Sequence, residues 1–119
     1  MIKKNTYLIP ADKCGVFWVS VFHLYYGFSR KTAYCGNFVK ISVKKTRPLN
    51  WLKKKTKLRG IIIRVRKENF KRDGSWVRFC ENNVVLLKKR LTPQGKELSG
   101  PIIYSIKRRK FRSTFAGII

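Results

Sequence analysis

The apolar residues of this chain fall into short β-branched and aromatic runs, and none of them extends into a long helical period. The runs at Val16 to Leu24, Phe38 to Val43, Leu58 to Arg66, Trp76 to Phe79 and Val84 to Leu87 read as strands. Turn signals separate them at Gly27, Gly36, Pro48, Asp73-Gly74 and Pro93 to Gly95. Five or six short strands imply an all-β barrel or sandwich. For one domain covering 1–119, a mainly β fold built as a small closed barrel suits best, because closure also removes edge strands.

Such a barrel has to carry an unusual charge. Hydrophobic residues make up 44% of the chain, enough to build a core, yet 29 Lys and Arg face 5 Asp and Glu for a net charge of +24. A uniformly charged sphere of roughly 17 Å radius at physiological salt would repel itself by on the order of 20 kcal/mol. That rivals a typical folding stability of about 5 to 15 kcal/mol. Phosphate backbone relieves the repulsion and adds attraction, so the charge points to permanent residence on nucleic acid.

The same composition argues against chemistry. The acids are Asp12, Glu68, Asp73, Glu81 and Glu97, no two at a spacing that suggests a catalytic pair, and the one imidazole is His23. An enzyme, a small-molecule substrate and a cofactor are therefore not expected. Cys14, Cys35 and Cys80 lack CxxC or CxxH spacing, so no metal site is expected and three buried, reduced thiols are. His23 sits in an apolar and aromatic run, which suggests a core or interface histidine. The apolar stretch 16–28 is shorter than the roughly 20 residues a membrane span needs, and no secretory signal or presequence pattern is visible.

The basic residues gather in four places. Lys40 and Lys44 alternate with Ile41 and Val43, giving a charged strand face. From Lys44 to Arg59 the chain carries Arg47, Lys53, Lys54 and Lys57 around Pro48 and Trp51, and reads as a long loop that orders against a polyanion. Asp73-Gly74 signals a hairpin, with Arg64, Arg66 and Lys67 on one arm, Lys71 and Arg72 at the tip, and Arg78 on the other arm. This is expected to project as a basic finger. Lys107, Arg108 and Lys110 follow Gly100-Pro101 in a segment expected to form a turn or two of helix.

From Gly60 to Leu86 the spacing is specific. Gly60-Ile61-Ile62-Ile63 is followed after nine residues by Asp73-Gly74, after four by Phe79, after two by Asn82, and after two more by Val85-Leu86. This pattern resembles the signature of the universal large-subunit ribosomal protein fourteen family. Thr6, Leu8, Ala11-Asp12, Gly15, Arg30, Lys31, Ala33, Gly36, Pro48, Lys53-Lys54, Gly95, Gly100-Pro101 and Lys110-Phe111 also fall in place, so the resemblance covers nearly the whole chain. It implies a five-stranded β-barrel with a protruding hairpin and a short C-terminal helical region. It also implies a structural role in the large ribosomal subunit, bound to large-subunit rRNA at the face toward the small subunit. Implied partners are ribosomal proteins three and nineteen, small-subunit rRNA at an intersubunit bridge, and a ribosome-silencing factor. Matched basic positions are Lys44, Lys53, Lys54, Arg64, Lys67, Arg78 and Lys110. Asp12, Asp73 and Asn82 match as turn residues, and Gly74 as the positive-φ residue of the hairpin.

The departures from the family are informative as well. Phe17 and Trp18 stand where bacterial relatives commonly carry an Arg pair, and Tyr25 and Tyr26 enlarge the aromatic patch. Alternation along a strand exposes at least one of Phe17 and Trp18, so a protein partner specific to this lineage is expected there. Lys45, Thr56, Asn37 and Ser105 stand where relatives often carry acids. Ala occurs only at positions 11, 33 and 116, while Lys, Ile, Phe, Tyr and Asn are abundant, as an AT-rich gene would produce. With no presequence pattern, this suggests an organelle-encoded protein of the mitochondrial ribosome, with a plastid or bacterial cytoplasm as the alternative. The competing function is a stand-alone RNA chaperone or translation regulator.

Overall fold

The computed structural model describes residues 1–106 and 113–119. Its strands are β1 (Tyr7–Pro10), β2 (Val16–Leu24), β3 (Phe38–Thr46), β4 (Lys57–Arg64), β5 (Asn69–Phe70), β6 (Trp76–Val77), β7 (Asn83–Leu87), β8 (Pro101–Ile102) and β9 (Gly117–Ile118). Strands β1, β2, β3, β4 and β7 form a closed barrel. Neighbours pair antiparallel around it until β1 and β7 close the ring in parallel, Ile9 opposite Asn83 and Pro10 opposite Val84.

Strand β1 was not among the sequence-predicted strands, because it is four residues long and ends in proline. Its bonding explains how proline is tolerated. The amides of Ile9 and Ala11 donate to the Asn82 and Val84 carbonyls, so Pro10 falls at the one position of this ladder where no N–H is needed.

Alternation sorts β3 as its sequence suggests: Val39, Ile41 and Val43 point inward, while Lys40 and Lys44 are exposed. Strands β4 and β7 are buried on both faces from Gly60 onward. Ile62, Val84 and Leu86 fill the barrel, whereas Ile61, Ile63, Val85 and Leu87 face a second core with Ile102, Ile103, Ile106 and Phe115 of the C-terminal segment. Burying each such side chain contributes about 1.5 to 3 kcal/mol. The branched triplet 61–63 therefore serves two cores at once. Gly60 precedes it because a Cβ there would lie 2.6 Å from Val84 Cγ2, inside a barrel too narrow for one.

Two expectations change. The segment from Lys44 to Arg59 is not one long loop: Lys44 and Lys45 finish β3, Lys57 and Arg59 open β4, and only 47–56 connects them. Strand propensity of Val43 and the pairing of Ser42 with Lys57 extend the sheet into the basic run. The basic C-terminal run at 107–112, where a helical turn was expected, lies outside the described residues; among those that are described there is no helix.

Candidate nucleic-acid interface

The finger is present and short. Asn69 pairs with Val77 and Phe70 with Trp76, and the connecting turn is closed by the Lys71 amide donating to the Ser75 carbonyl at 2.8 Å. Asp73 accepts from both the amide and hydroxyl of Ser75, which holds its carboxyl below the usual range, and Gly74 has φ +88°. Arg66, Lys67, Lys71, Arg72 and Arg78 are all exposed on it. Arg78 approaches Glu68 at 3.9 Å. At the base, the Arg66 amide donates to Asn82 Oδ1 and Arg66 Nε to the Cys80 carbonyl. Asn82 thus clamps the finger to the barrel rather than shaping its own turn.

Arg64 does not belong to that surface. It is 8% exposed, and its guanidinium donates to Asn83 Oδ1 at 2.8 Å, to the Ser99 carbonyl at 2.8 Å and to the Pro101 carbonyl at 3.0 Å. A register shift between Ile62 and Arg64 turns it under the C-terminal segment. Gly100, at φ +77°, makes room, since a Cβ there would lie 2.1 Å from Arg64 Nη1. Burial lowers the guanidinium pKa, with Glu81 opposing. The expectation of a phosphate contact at Arg64 is therefore corrected: the side chain is buried, with Nε held by the Asn83 side chain and Nη1 by two backbone carbonyls.

Asp12 is another buried tie rather than a local turn residue. It accepts from the amides of Leu86 and Gly95, 74 and 83 residues away, and burial raises its pKa against those bonds. Of the thiols, all free, Cys14 is buried and Cys35 half-buried, but Cys80 is exposed, contrary to expectation. It lies at the outer base of the finger, where no core forms. Burial pushes both Cys14 and Cys35 up to about 11. His23 is exposed and stands edge-on to Tyr25 at 5.0 Å, so it is not a core histidine.

The remaining cations lie open. Lys40, Lys44, Arg47, Lys53, Lys54 and Lys57 are exposed along β3, the 47–56 loop and the start of β4. Ion pairs among the described residues are limited to Lys13 with Glu97 and Arg78 with Glu68. Asn50, bonded to the Cys14 carbonyl and Thr46 hydroxyl, pins the loop that carries Lys53 and Lys54.

Phe17 and Trp18 are both exposed because of a bulge. Val16 pairs with Thr46 and Trp18 with Lys45, leaving Phe17 as an extra residue, and a further shift between Val21 and His23 does the same for Phe22. Alternation alone would have hidden one of each pair. Cations sit over these rings: Arg47 over Phe17 at 5.8 Å, Lys57 over Phe22 at 5.9 Å, Arg59 over Tyr25 at 5.5 Å and Arg30 over Tyr26 at 5.6 Å. The aromatic patch divides: Phe17 and Trp18 lie at one end of β2, and Tyr25 and Tyr26 beyond the other, roughly 25 Å apart at 3.3 Å per residue.

Among the described residues no three His, Cys, Asp or Glu side chains gather as metal ligands, and no helix is long and apolar enough to cross a membrane. A closed barrel with a cationic finger, loop and strand face, and with its acids held in structural bonds, defines a β-barrel nucleic-acid-binding module. The chain belongs to the family described as ribosomal protein L14p/L23e, whose model matches residues 1–116. It is 55% identical over 119 residues to the large ribosomal subunit protein uL14m of Tetrahymena pyriformis, covering all of both chains. Membership makes it a structural component of the large ribosomal subunit and not an enzyme.

Proposed function

We infer that this chain is a structural constituent of the large subunit of the mitochondrial ribosome and binds its rRNA with the finger, the 47–56 loop and the outer face of β3. The compartment follows from the relative uL14m, identical at 55% of positions over the full length. The observation that carries the RNA reading is the exposed set of cations on those three elements, of which Arg78 alone is ion-paired, with Glu68, among the described residues. Lys67, Lys71, Arg72 and Arg78 on the finger, with Arg66 at its base, would hold phosphate oxygens. Lys40, Lys44, Arg47, Lys53, Lys54 and Lys57 would do so across the sheet and loop. Such contacts fix orientation on a folded RNA without reading its sequence. Lys107, Arg108 and Lys110 join the set on sequence grounds alone.

A place at the intersubunit face, bridging to small-subunit rRNA beside ribosomal proteins three and nineteen, is the finer form of this reading, and a silencing factor would dock on the same side. Phe17 and Trp18 fit a protein partner, since their rings are exposed side by side at a bulge. Co-sedimentation tests the core of the reading. The chain stays with large subunits through a moderate-salt gradient, whereas a stand-alone RNA regulator washes to the top of the gradient as its phosphate contacts are screened.

A further inference from the structure

A groove of about 680 Å³ crosses the outer face of the barrel between β3, β4 and the turn after β7. Leu58 and Leu87 are among the residues that line it, together with two aromatic side chains, Tyr25 and Trp51. Five cations line it: Lys40 and Arg59, which are partners across β3 and β4, with Lys57, Lys88 and Lys89. No carboxylate lines it, and none of the five is in an ion pair among the described residues. Arg59 already covers the Tyr25 ring, but the Trp51 indole is 65% exposed and carries no cation among the described residues.

We propose that this groove seats an unpaired RNA residue, its base stacked on Trp51 and its flanking phosphates held by Lys40, Lys57, Arg59, Lys88 and Lys89. The proposal rests on the RNA-binding reading above and adds a site to it. The volume is that of a compact-ligand site, about 300 to 1,000 Å³, too small for a duplex. Paired RNA also keeps its base faces hidden, whereas an unstacked residue offers a flat face to an indole and a charge on either side. An acidic peptide would satisfy the cations but would leave the exposed indole without a flat partner. Gln94 also lines the groove, its Nε2 donating to the Leu87 carbonyl at 3.4 Å.

The test titrates the purified full chain with a single-stranded hexaribonucleotide, a blunt RNA duplex and an acidic peptide, for wild type, Trp51→Ala, Trp51→Phe and the Lys88→Gln/Lys89→Gln pair. Trp51→Ala should weaken the single strand about tenfold, Trp51→Phe should restore most of the loss, and the duplex should be unchanged. The lysine pair should weaken the single strand and flatten its salt dependence. An unchanged single-strand affinity in Trp51→Ala overturns the site, as does an equal loss for the duplex. Preferential, Trp51-dependent binding of the acidic peptide overturns it in favour of a protein occupant. If these variants fail to discriminate yet still co-sediment with large subunits, only the groove falls; if wild type does not co-sediment, the ribosomal reading falls first.

Discussion

Arg64 shows how far a residue's type can mislead about its place. It was grouped with the finger because it is basic and precedes Arg66, yet it sits between Ile63 and Val65 in a strand buried on both faces. That apolar bracketing was the available signal; the acceptors that hold it, on Asn83, Ser99 and Pro101, lie 19 to 37 residues away and leave no local trace. Arg64→Met should strand those acceptors and cost about 3 kcal/mol, a loss of roughly 12 °C in Tm at this size. Arg64→Lys, which keeps the charge but not the fork, should recover only part of it in thermal melts. Reversing Arg64, Lys67 and Arg78 together would therefore unfold the barrel rather than isolate RNA binding. The thiols offer a second residue-scale check. Cys14 and Cys35, with thiols pushed up to about 11, stay protonated and shielded at pH 8, while Cys80 is exposed. Alkylation of the folded chain followed by mass spectrometry should add one label, and denaturant should raise that to three. Raising the pH toward 11 deprotonates the two shielded thiols, so their labelling grows in that direction and not on acidification.

At the scale of elements, four of the five barrel strands were legible from β-branched runs and turn residues, and so was the hairpin at Asp73-Gly74. The fifth was not, since β1 has few residues and takes its place through pairing with β2 and β7 rather than through its own pattern. Bulges were equally invisible, because a register shift is fixed by the partner strand; this is why Phe17 and Trp18 emerge together. The basic strand face was readable, but the extent of the loop was not, as Lys57 and Arg59 pair with β3 despite their charge. The finger can now be tested by itself. Lys67 and Arg78 are exposed and outside both cores, so Lys67→Glu/Arg78→Glu should leave the folding stability within about 1 kcal/mol of wild type. Incorporation into large subunits, measured by gradient fractionation, should fall several-fold. Normal incorporation would remove the finger from the rRNA contacts.

For the molecule as a whole, the charge is both the means of binding and a burden on the free fold. The net charge of +24 is spread over a body whose Cα radius of gyration is 13.7 Å. Lengthening the Debye screening distance from about 8 Å at physiological salt to about 30 Å at 0.01 M roughly doubles the repulsion of the equivalent sphere, from on the order of 20 to on the order of 45 kcal/mol. The unfolded chain carries most of that repulsion too. If a tenth of the difference remains as a folding penalty, it is about 2 kcal/mol, or near 8 °C in Tm for a domain of this size. Isolated protein should therefore melt several degrees higher in 0.15 M than in 0.01 M NaCl, the rise flattening as screening saturates. A polyanion at low salt should raise Tm further, since it neutralises the cationic faces as rRNA would and binds the folded form in preference. With the polyanion bound the sign of the salt effect inverts, because added NaCl then releases the stabilising ligand. A melting temperature indifferent to salt in the free chain would mean that the fold does not feel its own charge.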